Sequence, residues 1–142
     1  ENNPEISIEK YGKLIFDKKL PQTQLNKNFD YKSADTVFLA LPHGVSNEFV
    51  KLYYNKIQII DLSADFRLND YEIYKKNYGD NHTSPNLLNN FVYGLAEFYR
   101  EKLLNNKNIA IPGCYPTSVL IPLLPLLSNK LIKNTNIIIY SF

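Results

Sequence analysis

The sequence predicts an α/β chain built on a parallel sheet covered on both faces. Three short, nearly continuous apolar runs, at residues 36–41, 57–60 and 109–111, each end in small or polar residues. Each is followed by a stretch that reads as helix. Apolar runs of this length without hydrophobic/polar alternation are the mark of strands buried on both faces. The chain has 142 residues, 44% hydrophobic and 21% charged, with 11 Tyr and 8 Phe. That composition suits a globular core, and the length suits one domain better than two.

The elements follow in order. Residues 36–41, TVFLAL, stop at Pro42, His43 and Gly44, and Ser46 stands where it would cap a helix over NEFVKLYY. In KIQIIDLSADFRL, Ile57, Ile59 and Ile60 lead into Asp61, Ser63, Asp65 and Arg67, polar residues at a strand's carboxyl end. The polar stretch NDYEIYKKNYGDNHTSPNLLNN reads as one short helix, about residues 70–78, and a loop. FVYGLAEFYREKLLNN turns at Gly94 and becomes helix to about Asn105. Ile109 to Ile111 lead to Cys114 and a helix whose first turn accommodates Pro116, since the missing N–H is not needed there. Pro122, deeper in that helix, is expected to kink it. TNIIIYSF, residues 135–142, reads as a further strand. No internal repeat is visible.

Several function classes fall away. A net charge of +2, with lysines scattered among Asn and Asp, argues against a nucleic-acid partner. SVLIPLLPLL is too short and too broken by proline to span a membrane. The opening ENNPEISIEK has the character of neither a signal nor a transit peptide, so the expected location is cytoplasmic. The expected metal content is none. One Cys cannot form an internal disulfide.

Ligands of open α/β sheets bind at the carboxyl ends of the strands. His43 with Gly44, Ser63 to Arg67, and Gly113 with Cys114 are therefore expected at one rim. Cys114 stands at a helix N-terminus, where the macrodipole and free N–H groups favour a thiolate. Gly113 leaves room beside the sulfur, and Pro112 stiffens the turn. The local sequence leaves two roles open for Cys114: a chemical group, or a small residue packed at a crowded turn.

PGCYPT (112–117), LPHGVS (41–46), DLSADFRL (61–68) and YGLAE (93–97), in this order and spacing, resemble N-acetyl-gamma-glutamyl-phosphate reductases, relatives of aspartate-semialdehyde dehydrogenase. The resemblance runs from about Ile6 to the end of the chain. It implies an incomplete Rossmann-like doubly wound parallel sheet over residues 1–134. Residues 135–142 would then open a second α+β domain for catalysis and dimerisation. The implied reaction reduces N-acetyl-L-glutamyl 5-phosphate to the 5-semialdehyde with NADPH, in arginine biosynthesis. Cys114 would be the nucleophile, and a thioester the covalent intermediate. Arg67 would hold the leaving phosphate with Ser63 beside it, while Asp65 would orient Arg67 or cap the following turn. Pro42, His43, Gly44, Ser46, Pro116 and Thr117 would contact the cofactor, and the YGLAE segment would serve mainly as scaffold. The implied partners are a small acyl phosphate and, for the full-length protein, further copies of itself.

The chain departs from this pattern in places. Ile111 replaces the Asn usual before PGC, removing a hydrogen bond that would brace the cysteine turn, and Ala96 replaces a Pro. No glycine-rich phosphate loop is visible among the five glycines, and the motif carrying the family's acid–base His does not occur. The 142 residues alone are therefore expected to bind NADPH poorly and not to turn over. Two other readings stay open: a related reductase acting on aminoadipyl or aspartyl phosphate, and a non-catalytic α/β binding domain with a structural Cys.

Overall fold

A computed structural model describes residues 29–79 and 82–140. The chain divides into two compact units, residues 1–33 and 34–142. The described part of the first is a 3-10 turn, Tyr31–Ser33, closed by the Ser33 hydroxyl on the Asp30 carbonyl (2.6 Å) and by the Lys32 amide on the Asp30 carboxylate (3.0 Å). The stretch near Ile6 where the family resemblance begins lies outside the described residues.

The second unit is the α/β layer that the apolar runs predict. Its elements are β1 (Thr36–Leu39), α1 (Val45–Tyr53), β2 (Gln58–Asp61), α2 (Tyr71–Tyr78), a 3-10 segment (Pro85–Asn90), β3 (Val92–Tyr93), α3 (Ala96–Leu104), β4 (Asn108–Ala110) and α4 (Cys114–Ser128). All pairings are parallel and the order across the sheet is β1-β2-β4-β3. Register aligns Leu39 with Asp61 and Asp61 with Ala110, so the chain leaves the sheet at one level after each of these strands. The expected convergence of the three polar clusters on one rim follows from that alignment.

Leu39, Ile59 and Ala110 of the sheet are buried with Val50 of α1 and Leu95. Much of the remaining core comes from the stretch read as polar. Phe66 stacks on Phe91 (4.1 Å between ring centroids), and His82 meets Phe66 and Tyr74 edge-on. Tyr74 of α2 and Leu88 of the 3-10 segment are almost fully enclosed. Asp70 caps α2 by accepting from the Ile73 amide at 3.0 Å.

Two expectations need correction. Ser46 does not cap α1: the cap position is Gly44, in the left-handed region at φ 84°, and Ser46 lies two residues beyond it in the first turn, fully buried. Val92–Tyr93 is a strand and not only the approach to a turn. α4 extends through Pro122 and Pro125 to Ser128. Residues 135–140 form no ladder among the described residues, and Ile138 and Tyr140 are strongly exposed. A strand's hydrogen bonds need a neighbouring strand, and none of the described residues provides one beside this segment.

Candidate functional site

The loop after β2 ties the rim together through two residues. Asp65, fully buried, accepts from the amides of Gly44 (2.9 and 3.1 Å) and Asn47 (3.0 Å), so it caps the preceding helix α1 from outside the helix. It also pairs with His43 Nδ1 at 2.5 Å. Its expected role of orienting Arg67 is not what the structure shows, because α1 has no side-chain cap of its own and its free amides claim this carboxylate. Glycine is required at position 44, where a positive φ turns the N–H toward Asp65.

Arg67 makes the second tie. Its Nε donates to the Ile111 carbonyl and its Nη2 to the Leu62 carbonyl, both at 2.8 Å. The guanidinium thereby lies across Gly113, where a Cβ would stand 3.0 Å from Nη1. Gly113 is small because Arg67 crosses it. The same bond to Ile111, together with the Ile111 amide on the Asp61 carbonyl (2.7 Å), braces the cysteine turn through the backbone. The brace that an Asn side chain was expected to supply is therefore present without it.

Cys114 begins α4 and is exposed. Tyr115 and Pro116 beside it are exposed as well. Thr117 turns its hydroxyl back to the Gly113 carbonyl at 2.9 Å, a common first-turn bond for threonine. Pro42 and His43 stand exposed at the β1 end of the rim, the His43 ring packed 5.1 Å from that of Tyr78.

Ser63 and Ser46, read as phosphate and cofactor contacts, turn inward. The Ser46 hydroxyl donates to Asp61 at 2.6 Å, and Ser63 donates its hydroxyl (2.7 Å) and its amide (3.0 Å) to the same carboxylate. A buried carboxylate without donors is far costlier than an exposed hydroxyl without a partner, so Asp61 takes both serines. Burial still pushes the Asp61 carboxyl above its ordinary value, against the lowering effect of these bonds.

Beneath the rim lies a second polar chain that sequence reasoning did not single out. Tyr74, its pKa pushed up to about 12 by burial and by the charge of Asp65, puts its hydroxyl 3.2 Å from His43 Nε2. His82 accepts from the Ser84 amide at Nδ1 (3.1 Å), so its proton sits on Nε2 and goes to the Asp65 carbonyl (3.0 Å). Burial lowers the His82 pKa and keeps the ring neutral. A His at the end of a polar loop carries no sequence signal for this role.

A cleft of about 680 Å³ opens beside Arg67 and Pro116. Asn69, Tyr78, Tyr93, Tyr99 and Lys102 of α3 also line it. Behind its wall, Gly94 lets β3 approach β4: a Cβ there would lie 3.0 Å from the Ile109 side chain, and its N–H donates to the Ala110 carbonyl at 2.8 Å. Leu95 is buried and Ala96 opens α3, so this part of YGLAE is structural.

Residues 6–106 match the family described as the semialdehyde dehydrogenase NAD-binding domain. Among similar proteins, the N-acetyl-gamma-glutamyl-phosphate reductase of Ehrlichia canis is 54% identical over 112 residues, which are 79% of this chain and 32% of that protein. The corresponding protein of Caldicellulosiruptor saccharolyticus is 49% identical over 142 residues, 99% of this chain and 41% of that one. A probable chloroplastic counterpart of Oryza sativa subsp. japonica is 43% identical over 134 residues, 92% of this chain and 32% of that protein. The chain thus spans between about a third and two fifths of the length of these relatives.

Proposed function

Since the chain belongs to the semialdehyde dehydrogenase NAD-binding domain family, we propose that it serves the NADPH-dependent reduction of N-acetyl-L-glutamyl 5-phosphate to the semialdehyde. The arrangement that carries this reading is the exposed Cys114 beside Arg67, whose guanidinium is anchored by Nε and Nη2 and places Nη1 against Gly113 of the cysteine turn. An exposed sulfur at a helix start, next to a fixed cation, suits attack on an acyl group that leaves a phosphate.

In this reading the Cys114 thiolate attacks the acyl carbon and a thioester bond forms. The acyl–oxygen bond to phosphate breaks, and the phosphate departs with its electron pair against Arg67. When bound, the nicotinamide cofactor supplies the hydride that reduces the thioester carbon, freeing the aldehyde and the thiolate. The rim residues fit the neutral end of such a cofactor. Pro42, His43 and Pro116 are exposed there, while the amides of α1 that would attract a diphosphate are already held by the Asp65 carboxylate. Gly44, Ser46 and Thr117 support this surface from behind, and Ser63 supports Arg67 through its own loop.

The test is NADPH oxidation with N-acetylglutamyl phosphate by the chain completed to the length of its relatives, wild type against Cys114→Ser. Turnover that falls by several orders of magnitude in the serine form supports the reading. A folded wild type without turnover, or a serine form as active as wild type, overturns it.

A further inference from the structure

The ring of His43 is held by buried groups although it stands at an exposed rim. Its Nδ1 pairs with the Asp65 carboxylate, and its Nε2 lies 3.2 Å from the Tyr74 hydroxyl. Both partners are fully enclosed. Asp65 is itself fixed by the amides of Gly44 and Asn47, and Tyr74 packs edge-on against His82, with 4.8 Å between ring centroids. Burial and the charge of Asp65 keep the Tyr74 phenol protonated, so the group at Nε2 is a neutral hydroxyl. The Tyr78 ring lies 5.1 Å from the His43 ring, tilted by 45°. Yet 34% of the His43 side chain stays accessible. With both nitrogens engaged, what that surface offers is the carbon edge and the face of the ring.

We propose that Tyr74 is a positioning residue for the nicotinamide cofactor: together with Asp65 it locks the His43 ring so that its face and carbon edge meet the flat nicotinamide end. The inference rests on the reading of Pro42, His43 and Gly44 as part of the cofactor surface. A ring held at both nitrogens has lost its side-chain freedom before the ligand arrives, so that ordering cost falls on folding and not on binding. An imidazole free to turn would present a nitrogen to the rim in some of its rotamers, and would match a flat amide-bearing ring less often. The same clamp leaves His43 no nitrogen for a hydrogen bond to a bound molecule. His43 therefore contributes shape and contact, and it exchanges no proton with the substrate. Tyr74 stands 31 residues away in the chain and is fully enclosed, so it acts on the ligand only through that ring.

Two measurements on the completed protein test this, and neither needs turnover. In the first, NADPH binding is followed by fluorescence. Tyr74→Phe keeps the aromatic packing and removes only the hydroxyl, and it should raise the Kd for NADPH about fivefold. In a His43→Ala background the same substitution should change the Kd by less than about 1.5-fold, because no ring remains to be positioned. A role in stability alone would leave the Kd unmoved in both backgrounds. Wild type that binds NADPH while Tyr74→Phe binds it equally well, or loses as much affinity without His43 as with it, would overturn the inference and leave the cofactor reading standing. Wild type that binds no NADPH would overturn that reading and the inference together. The second measurement needs no change at Tyr74: NMR of the His43 imidazole in wild type, assigned by its loss in His43→Ala. NADPH should shift the carbon-bound ring protons and leave both nitrogen resonances nearly where they were. Ring protons that ignore NADPH, or nitrogen resonances that move as for a new hydrogen bond, would overturn it.

Discussion

The loop after β2 and the turn after β4 meet at one rim, yet they are built on opposite principles. In residues 61–67 the carboxylates of Asp61 and Asp65 are fully buried, and both are held by hydrogen bonds from serine hydroxyls or backbone amides. In residues 113–116 the side chains of Cys114, Tyr115 and Pro116 face solvent. One region spends its polar groups on structure and the other leaves its side chains at the surface. Arg67 is the one side chain that belongs to both, anchored in the first and laid over the second. The lesson is that polar residues clustered at strand ends include the supports of a site as well as its working groups.

Substitutions that break this contrast should differ in size. The largest effect on folding is expected from Asp65→Ala, which strands the amides of Gly44 and Asn47 and the His43 ring together. Loss of a buried charged acceptor with several donors costs about 3 kcal/mol, and urea unfolding would read it directly. A loss under about 1 kcal/mol would show that water replaces the carboxylate and that the loop is not the support argued here.

Gly113→Ala acts on the joint between the regions. The added methyl meets the Arg67 guanidinium, a flexible group that can swing away, so stability should change little. Activity of the completed protein should fall by about 10- to 100-fold as the cation moves off the cysteine turn. Unchanged activity with an unfolding midpoint shifted downward would place Arg67 in the support alone.

A third test uses pH. His82 has a folded pKa below its ordinary 6.5, because burial disfavours the charged ring. Below pH 6.5 the unfolded chain therefore binds a proton at His82 that the folded chain does not, and stability falls as pH drops through that value toward the lowered one. The slope from one such proton cannot exceed about 1.4 kcal/mol per pH unit. Denaturation of wild type and His82→Gln between pH 8 and pH 5 should show the flatter curve in the variant. Parallel curves would remove His82 as the source.

The smallest effect is expected from Ile111→Asn, which restores the residue usual before PGC. The backbone of residue 111 already braces the turn through Asp61 and Arg67, so kcat/KM should stay within a few-fold of wild type. A gain of an order of magnitude would mean that the side-chain brace matters after all.

Much of the fold was legible in the chain. The runs at 36–41, 57–60 and 109–111 became β1, β2 and β4 with ends shifted by one or two residues, and the short helix expected near 70–78 is α2. β3 escaped notice because two residues, Val92 and Tyr93, leave no period to recognise. For the site, the rim followed from the strand ends, whereas the exposure of Cys114 did not, since the local sequence left a packed cysteine open. The inward turn of Ser46 and Ser63 did not, since both answer to Asp61, and the burial of Asp61 is a property of the packed sheet.

Local pattern and propensity, acting over a few residues, determined the order of the longer strands and helices, the parallel layer and the place of Cys114 at a helix start. Only the tertiary structure decided which polar residues support and which remain available. Those bonds join positions far apart in the chain: Arg67 reaches Ile111 across 44 residues, and Gly44 reaches Asp65 across 21. A buried donor or acceptor takes the partner that packing brings within about 3 Å, whatever its distance along the sequence.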